Sequence, residues 1–196
     1  MYPIILASAS PRRQEILHRM NIPFVVNPSN IDETIPKEID VKNGPEYLAQ
    51  KKVEAILNTI PPNTEAPWIL GADTMVHIDG KLLGKPESVE MAREMLCTIQ
   101  GKTHEVITGL ALYNGNTHNI CTRTNIAKVT FAPLSEEEID WYTNTGEWHG
   151  AAGAYRIQGQ ASYFIKEIVG TESAVMGLPI FELYDMLKKQ SYSLIE

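Results

Sequence analysis

A chain of 196 residues, 43% hydrophobic and 21% charged, has the composition of a soluble globular protein and can bury a real core, as one domain or two closely joined lobes. Its formal charge of -7 argues against a general nucleic-acid binder, so a phosphate-rich ligand would need a locally basic pocket. Two cysteines, Cys97 and Cys121, lack metal-ligand spacing and suit a reducing cytoplasm, and the first apolar run is broken too soon for a signal peptide or membrane span.

Ile4-Ile5-Leu6-Ala7 predicts a first strand. Ser8-Ala9-Ser10-Pro11-Arg12-Arg13-Gln14-Glu15 is then the turn into a first helix, with Ser10 as N-cap and Pro11 at the first helical position. Two arginines in a first turn work against the helix macrodipole, which already presents positive charge and free N–H groups there. They make sense where an anion sits at the turn, because amides, serine hydroxyls and guanidinium forks all donate to phosphate oxygens. The competing reading is two solvated arginines whose charge bends away from the helix end. Ile16, Leu17 and Met20 can face a core, and Phe24-Val25-Val26 reads as a second strand leading to the acidic loop Asp32-Glu33-Thr34. From about Pro45 to Leu57 the stripe Ala49, Val53, Ile56 and Ile60 predicts a helix. On a wheel at about 100° per residue, Lys51 falls opposite that stripe and Lys52 borders it, as a snorkelling lysine also would.

Pro61-Pro62-Asn63 breaks the chain, and Trp68-Ile69-Leu70-Gly71-Ala72 predicts a buried strand ending at Asp73. Ligands of open α/β sheets gather beyond the carboxyl ends of strands, although Asp73 could equally cap a turn. Asp79-Gly80, between Val76-His77-Ile78 and Lys81-Leu82-Leu83, signals a two-residue hairpin that pairs Ile78 with Lys81. Continuing that register sets Thr74 opposite Lys85 and returns Lys85 to the neighbourhood of Asp73, unless a bulge shifts it. Ser88 to Ile99 forms a helix through Ala92, Met95, Leu96 and Ile99, closed by Gly101. Gly101-Lys102-Thr103 imitates the tail of a phosphate-binding P-loop, but Leu96 stands where the first glycine belongs and the tripeptide follows a helix, so that motif is rejected.

Val106 to Tyr113 and Thr117 to Phe131 form a second hairpin through Asn114-Gly115, and Ser135 with Glu138 makes a capping box for a helix ending at Gly146. Gly150 to Gly159 is small and flexible, a loop and strand start that also lets backbone approach a planar ligand. Gln158 could read an amide-like edge there, such as a pyrimidine offers. Ser162 to Val169 predicts a strand, and Gly177-Leu178-Pro179 opens a final helix carrying Phe181, Tyr184 and Leu187. The histidines, His18, His77, His104, His118 and His149, share no zinc-binding spacing.

Taken in order, Ser8-x-Ser10-Pro11-Arg12-Arg13-x-Glu15, Gly71-Ala72-Asp73-Thr74, Gly84-Lys85-Pro86, Gly153-Ala154-Tyr155-x-Ile157-Gln158-Gly159 and Gly177-Leu178-Pro179 resemble the Maf family of nucleoside triphosphate pyrophosphatases across nearly the whole chain. Ala-Asp-Thr at 72 to 74, with Ile-Gln-Gly at 157 to 159, resembles the subgroup that hydrolyses dTTP and UTP rather than the one acting on 7-methyl-GTP. The resemblance implies a single α/β domain over residues 1–196, often a homodimer. It would have a central mixed twisted sheet, flanking helices and two lobes around a cleft, related to the inosine triphosphate pyrophosphatase fold. It also implies attack of water on the α-phosphorus with a divalent cation, usually magnesium or manganese, giving the monophosphate and pyrophosphate.

Matched residue by residue, the family's catalytic acidic residue falls on Asp73 as general base, while Glu33, Lys52 and Lys85 match other charged active-site positions. Ser8, Arg12 and Arg13 match the phosphate-binding turn; Arg13, Thr74 and Gln158 match positions associated with pyrimidine selection; Asp73 and Glu33 are the candidate metal ligands. The residue types agree with the chemistry, since a triphosphate carries about four negative charges and cannot approach a carboxylate base without cations to balance them. Two positions depart from the family: Ala151 stands where a lysine is usual and Ala174 where an asparagine is common. Turnover of another nucleotide, and a nucleotide-binding regulator of cell division without turnover, are the competing readings, the second kept open by Ala151. A strand-binding module lacks any run of basic and aromatic residues to support it.

Overall fold

The computed structural model describes residues 1–61 and 67–194, so the Pro62-Asn63 part of the expected break lies outside the described residues. Seven strands form one mixed sheet in the order β2 (Phe24–Val26), β1 (Ile4–Leu6), β3 (Trp68–Ile78), β5 (Thr103–Asn114), β6 (Asn119–Phe131) and β7 (Ile165–Val169), with β4 (Lys81–Leu83) on β3. β1 runs parallel to both β2 and β3, whereas β4 on β3 and β7 on β6 are antiparallel. The helices are α1 (Pro11–Arg19), α2 (Gly44–Leu57), α3 (Val89–Ile99), α4 (Glu136–Asn144), α5 (Glu172–Met176) and α6 (Ile180–Lys189). No described helix is long and apolar enough to cross a membrane.

The chain divides into two compact units, the first made of Met1–Asp73, Thr108–Asn125 and Gly177–Glu196. Its core joins Ala49, Val53 and Ile56 of α2 to Ala7, Ile69, Ala111 and Tyr113, so the apolar stripe read from the sequence is the buried face. Ile60 lies beyond the helix end and packs against the same cluster half-buried. The helix rests directly on strand backbone: a Cβ on Gly109 would lie 2.2 Å from the Glu46 nitrogen, and one on Gly71 would lie 2.3 Å from the Ala49 carbonyl oxygen. Only glycine fits either position. The Glu46 carboxylate then accepts hydrogen bonds from Thr122 Oγ1 at 2.6 Å and from Thr124 Oγ1, bolting the first turn of α2 to β6.

Thr74–Ile107 and Ile126–Met176 form the second unit, whose core includes Val76, Leu96, Ile99, Phe131, Tyr142 and Tyr155. Ser88 caps α3 by accepting from the Met91 amide at 3.2 Å, and the capping box at Ser135 and Glu138 closes the start of α4 in both directions. The hairpin has Asp79 and Gly80 at φ 50° and 77°, the doubly left-handed turn that matches strand twist, and Ile78 pairs with Lys81 as its length demands.

Four expectations need correction. Asp73 does not follow a strand but lies inside one, because Thr74-Met75-Val76 contains no turn residue and β3 continues into the hairpin. Hairpin pairing stops at Val76 with Leu83; Gly84 instead gives its carbonyl to the Gly153 amide at 3.0 Å, so register alone does not carry Lys85 to Thr74. β5 begins at Thr103, and its turn to β6 runs to His118, because Asn114 Oδ1 accepts from the amides of Asn116 and Thr117 and coils the chain once before β6 starts. The last strand starts at Ile165 rather than Ser162, since 160–164 is wound into a 3-10 turn. The final helix points Phe181 and Tyr184 outward and buries Leu183, Met186 and Leu187.

His104 is buried in the second unit, with Nε2 2.8 Å from the Tyr155 hydroxyl and Phe131 packed alongside. Burial pushes its pKa down from 6.5 to about 4 and pushes the Tyr155 phenol up. Native His104 therefore stays neutral while the unfolded chain takes up a proton below 6.5. Its contribution is complete above that pH and is lost as pH falls toward 4, a total on the order of 3 kcal/mol. His104→Gln, which keeps a hydrogen-bonding partner for Tyr155 but cannot titrate, is expected to flatten urea midpoints between pH 6.5 and 4; the same slope in both proteins would contradict this.

Candidate active site

The first unit brings together Ser8, Arg13, Glu33, Lys52 and Asp73. β3 delivers Asp73 from the buried middle of the strand, and α2, held down at Gly71 and Gly109, delivers Lys52 one turn after Ala49. Lys52 Nζ lies 2.6 Å from Asp73 Oδ1 and 2.8 Å from Glu33 Oε1. Lys52 and Asp73 are buried while the Glu33 side chain is 48% exposed, so the cluster opens to solvent at Glu33. Asp73 Oδ2 is buried and has no hydrogen-bonding partner among the described residues. A carboxylate oxygen in that condition is costly unless something it accepts from, or coordinates, completes it.

Glu33 reaches Lys52 from a loop without regular structure, and the loop is shaped by Asp32, whose Oδ1 accepts from the Thr34 amide at 2.9 Å and the Thr34 hydroxyl at 2.6 Å. That Asx turn could have been read from Asp-x-Thr in the sequence, though not what Glu33 would meet.

Helix α1 starts at Pro11 with Ser10 at the N-cap position, yet the Ser10 side chain makes no capping bond. Arg13 is buried rather than solvated: Nε donates to the Gly177 carbonyl at 2.8 Å and Nη1 to Ser8 Oγ at 2.8 Å. Burial lowers its pKa, and the nearby Asp73 and Glu33 charges oppose that shift. Gly177 thus does more than open α6; its carbonyl fixes a guanidinium beside the two carboxylates, a role its place in the sequence did not reveal. Arg12 occupies the same first turn half-buried.

The remaining expected residues lie in the second unit. Thr74 follows Asp73 on β3, Lys85 lies just past β4, and Gln158 is exposed in a turn closed by the Gly159 amide on the Arg156 carbonyl at 3.1 Å. Ala151 and Ala174, the two departures, are both buried.

Arg13 and Lys52 together only balance Asp73 and Glu33, so an incoming polyanion needs further positive charge. No group of three or more His, Cys, Asp or Glu among the described residues could hold a metal unaided. The orphaned Asp73 oxygen, with Glu33 nearby, instead fits a hard cation that takes one or two carboxylates and fills its shell from phosphates and water.

Residues 3–190 match the family model described as Maf-like protein. The chain is 42% identical over 188 residues to a dTTP/UTP pyrophosphatase of Desulforamulus reducens, covering 96% of each protein. It is 39% identical over 203 residues to a dTTP/UTP pyrophosphatase of Treponema denticola, covering all of both, and 41% identical over 188 residues to one of Pyrococcus furiosus, covering 96% of this chain and 95% of that protein.

Proposed function

The chain belongs to the Maf-like protein family, and from that premise we propose that it is a nucleoside triphosphate pyrophosphatase that hydrolyses dTTP and UTP to the monophosphate and pyrophosphate, clearing unwanted pyrimidine nucleotides from the cytoplasmic pool. The observation that carries the chemistry is Asp73: one oxygen is held by Lys52 and the other is buried with no partner among the described residues. Lys52 fixes the carboxylate plane, so the proton-accepting oxygen is already aimed before substrate arrives.

In the reaction the water oxygen bonds to the α-phosphorus, its proton passes to Asp73 Oδ2, and the bond from the α-phosphorus to the bridging oxygen breaks, pyrophosphate leaving with the electron pair. Ser8, Arg12 and Arg13 bind phosphate oxygens, with Lys85 as a further cation. Glu33 steadies Lys52 and relieves its charge. We assign base selection to Arg13, Thr74 and Gln158. Asp73 and Glu33 would hold a magnesium or manganese ion, which when bound supplies positive charge against the triphosphate; Asp73 Oδ2 has two lone pairs, one for such an ion and one for the proton.

Pyrophosphate release from a panel of nucleoside triphosphates, with magnesium or manganese, tests the reading. Turnover of dTTP and UTP should exceed that of the other nucleotides by about tenfold or more. Folded protein that binds nucleotides and releases no pyrophosphate from any of them would overturn it.

A further inference from the structure

Gln158 stands on an exposed turn, where an amide side chain discriminates poorly unless the backbone beneath it is fixed. The turn is clamped at both ends. On the entry side the Arg156 amide donates to the Tyr142 hydroxyl at 3.3 Å and Arg156 Nη2 donates to the His149 carbonyl at 2.7 Å. On the exit side the Gln160 amide donates to Glu147 Oε2 at 2.8 Å. Glu147 gets that close only because residue 159 has no side chain: a Cβ there would lie 2.2 Å from Oε2. Gly159 has an ordinary negative φ of -107°, so backbone conformation does not demand glycine. The carboxylate does. Glu147 is itself set by its amide, which donates to Thr145 Oγ1 at 3.1 Å just beyond α4.

We infer that Glu147 is a positioning residue for base selection, acting through the Gln158 turn, and that Gly159 is there to admit its carboxylate. The inference rests on the reading of Gln158 as a base-selecting residue. Thymine and uracil pair an acceptor oxygen with an N–H donor on one edge, and cytosine presents a different pattern there. The ratio of kcat/KM for dTTP over dCTP therefore reports how well Gln158 is held.

The test compares five variants in that ratio. Gln158→Ala should lower it by about tenfold. Glu147→Ala should lower it as far, and Glu147→Gln, whose amide oxygen still accepts from Gln160, should restore most of it. Gly159→Ala should reproduce Glu147→Ala by pushing aside the end of a flexible side chain, and the double variant should be no worse than either alone, because both remove one interaction. A purely structural role for Glu147 would scale turnover of both nucleotides together, and an unchanged ratio in Glu147→Ala overturns the inference if Gln158→Ala has lowered it. An unchanged ratio in Gln158→Ala itself overturns the base-selection reading, and the positioning role falls with it.

Discussion

Asp73→Asn is expected to lower kcat for dTTP by about 10^3-fold or more while leaving the protein folded, because general-base catalysis by a positioned carboxylate contributes about 10^2 to 10^4. Asparagine has the same shape, and its oxygen can still accept from Lys52 Nζ in place of Oδ1, 2.6 Å away. What it cannot do is take a proton at the second position, which becomes an amide donor facing where water should bind. The charge left on Lys52 is still met by Glu33 at 2.8 Å, so the stability change should be about 1 kcal/mol. Thermal melts and steady-state pyrophosphate release on one preparation separate the two effects. A kcat within threefold of wild type would remove Asp73 from the proton transfer.

The features legible in the sequence are those decided by neighbours in the chain. Asp79-Gly80 forces a hairpin through its own backbone preferences, and the Ser135–Glu138 box closes within four residues, so both appear where expected. The strand boundary at Asp73 was not legible, because a charged residue inside a buried strand is unfavourable until it is paired, and its partner Lys52 comes from 21 positions away on another element. Arg13 illustrates the same limit. Its position in a first turn suggested either a bound anion or a solvated side chain, whereas the structure buries it against a carbonyl 164 positions away. Residues that match the phosphate-binding turn are thus already part of a protein network, which fixes the guanidinium before any ligand adds its charge.

Lys52 shows most clearly how packing turns sequence position into chemistry. A helical wheel puts it at the border of the apolar stripe, where a lysine ordinarily snorkels to water, yet its side chain is 7% exposed. The difference comes from how low α2 sits. Gly71 and Gly109 let the helix backbone settle onto β3 and β5, and Glu46 anchors its first turn to Thr122 and Thr124.

Gly109→Ala is accordingly expected to be among the most damaging single-methyl additions in this chain. The new Cβ would meet three backbone atoms at 2.2 to 2.4 Å, the Glu46 nitrogen, the Pro45 carbonyl carbon and the Glu46 Cα, none of which can rotate away. Relief requires the helix to lift by about 1 Å, since real Cβ atoms essentially never approach another heavy atom closer than 3.0 Å. Overpacking of that kind costs about 1–3 kcal/mol, and a displacement of roughly 1 Å in a positioned group costs about 100-fold in rate. The variant should therefore lose both melting temperature and kcat, with the loss in kcat persisting at temperatures where the protein is fully folded. Gly80→Asn is the matched control: a Cβ at Gly80 meets nothing within 4 Å, and asparagine tolerates its left-handed φ of 77°. Glu46→Gln should fall between the two, because its amide can still bond one threonine but no longer accepts from both. If Gly109→Ala retained normal kcat, the seat of α2 would not be what places Lys52 against Asp73, and the helix would have to be held by its apolar stripe alone.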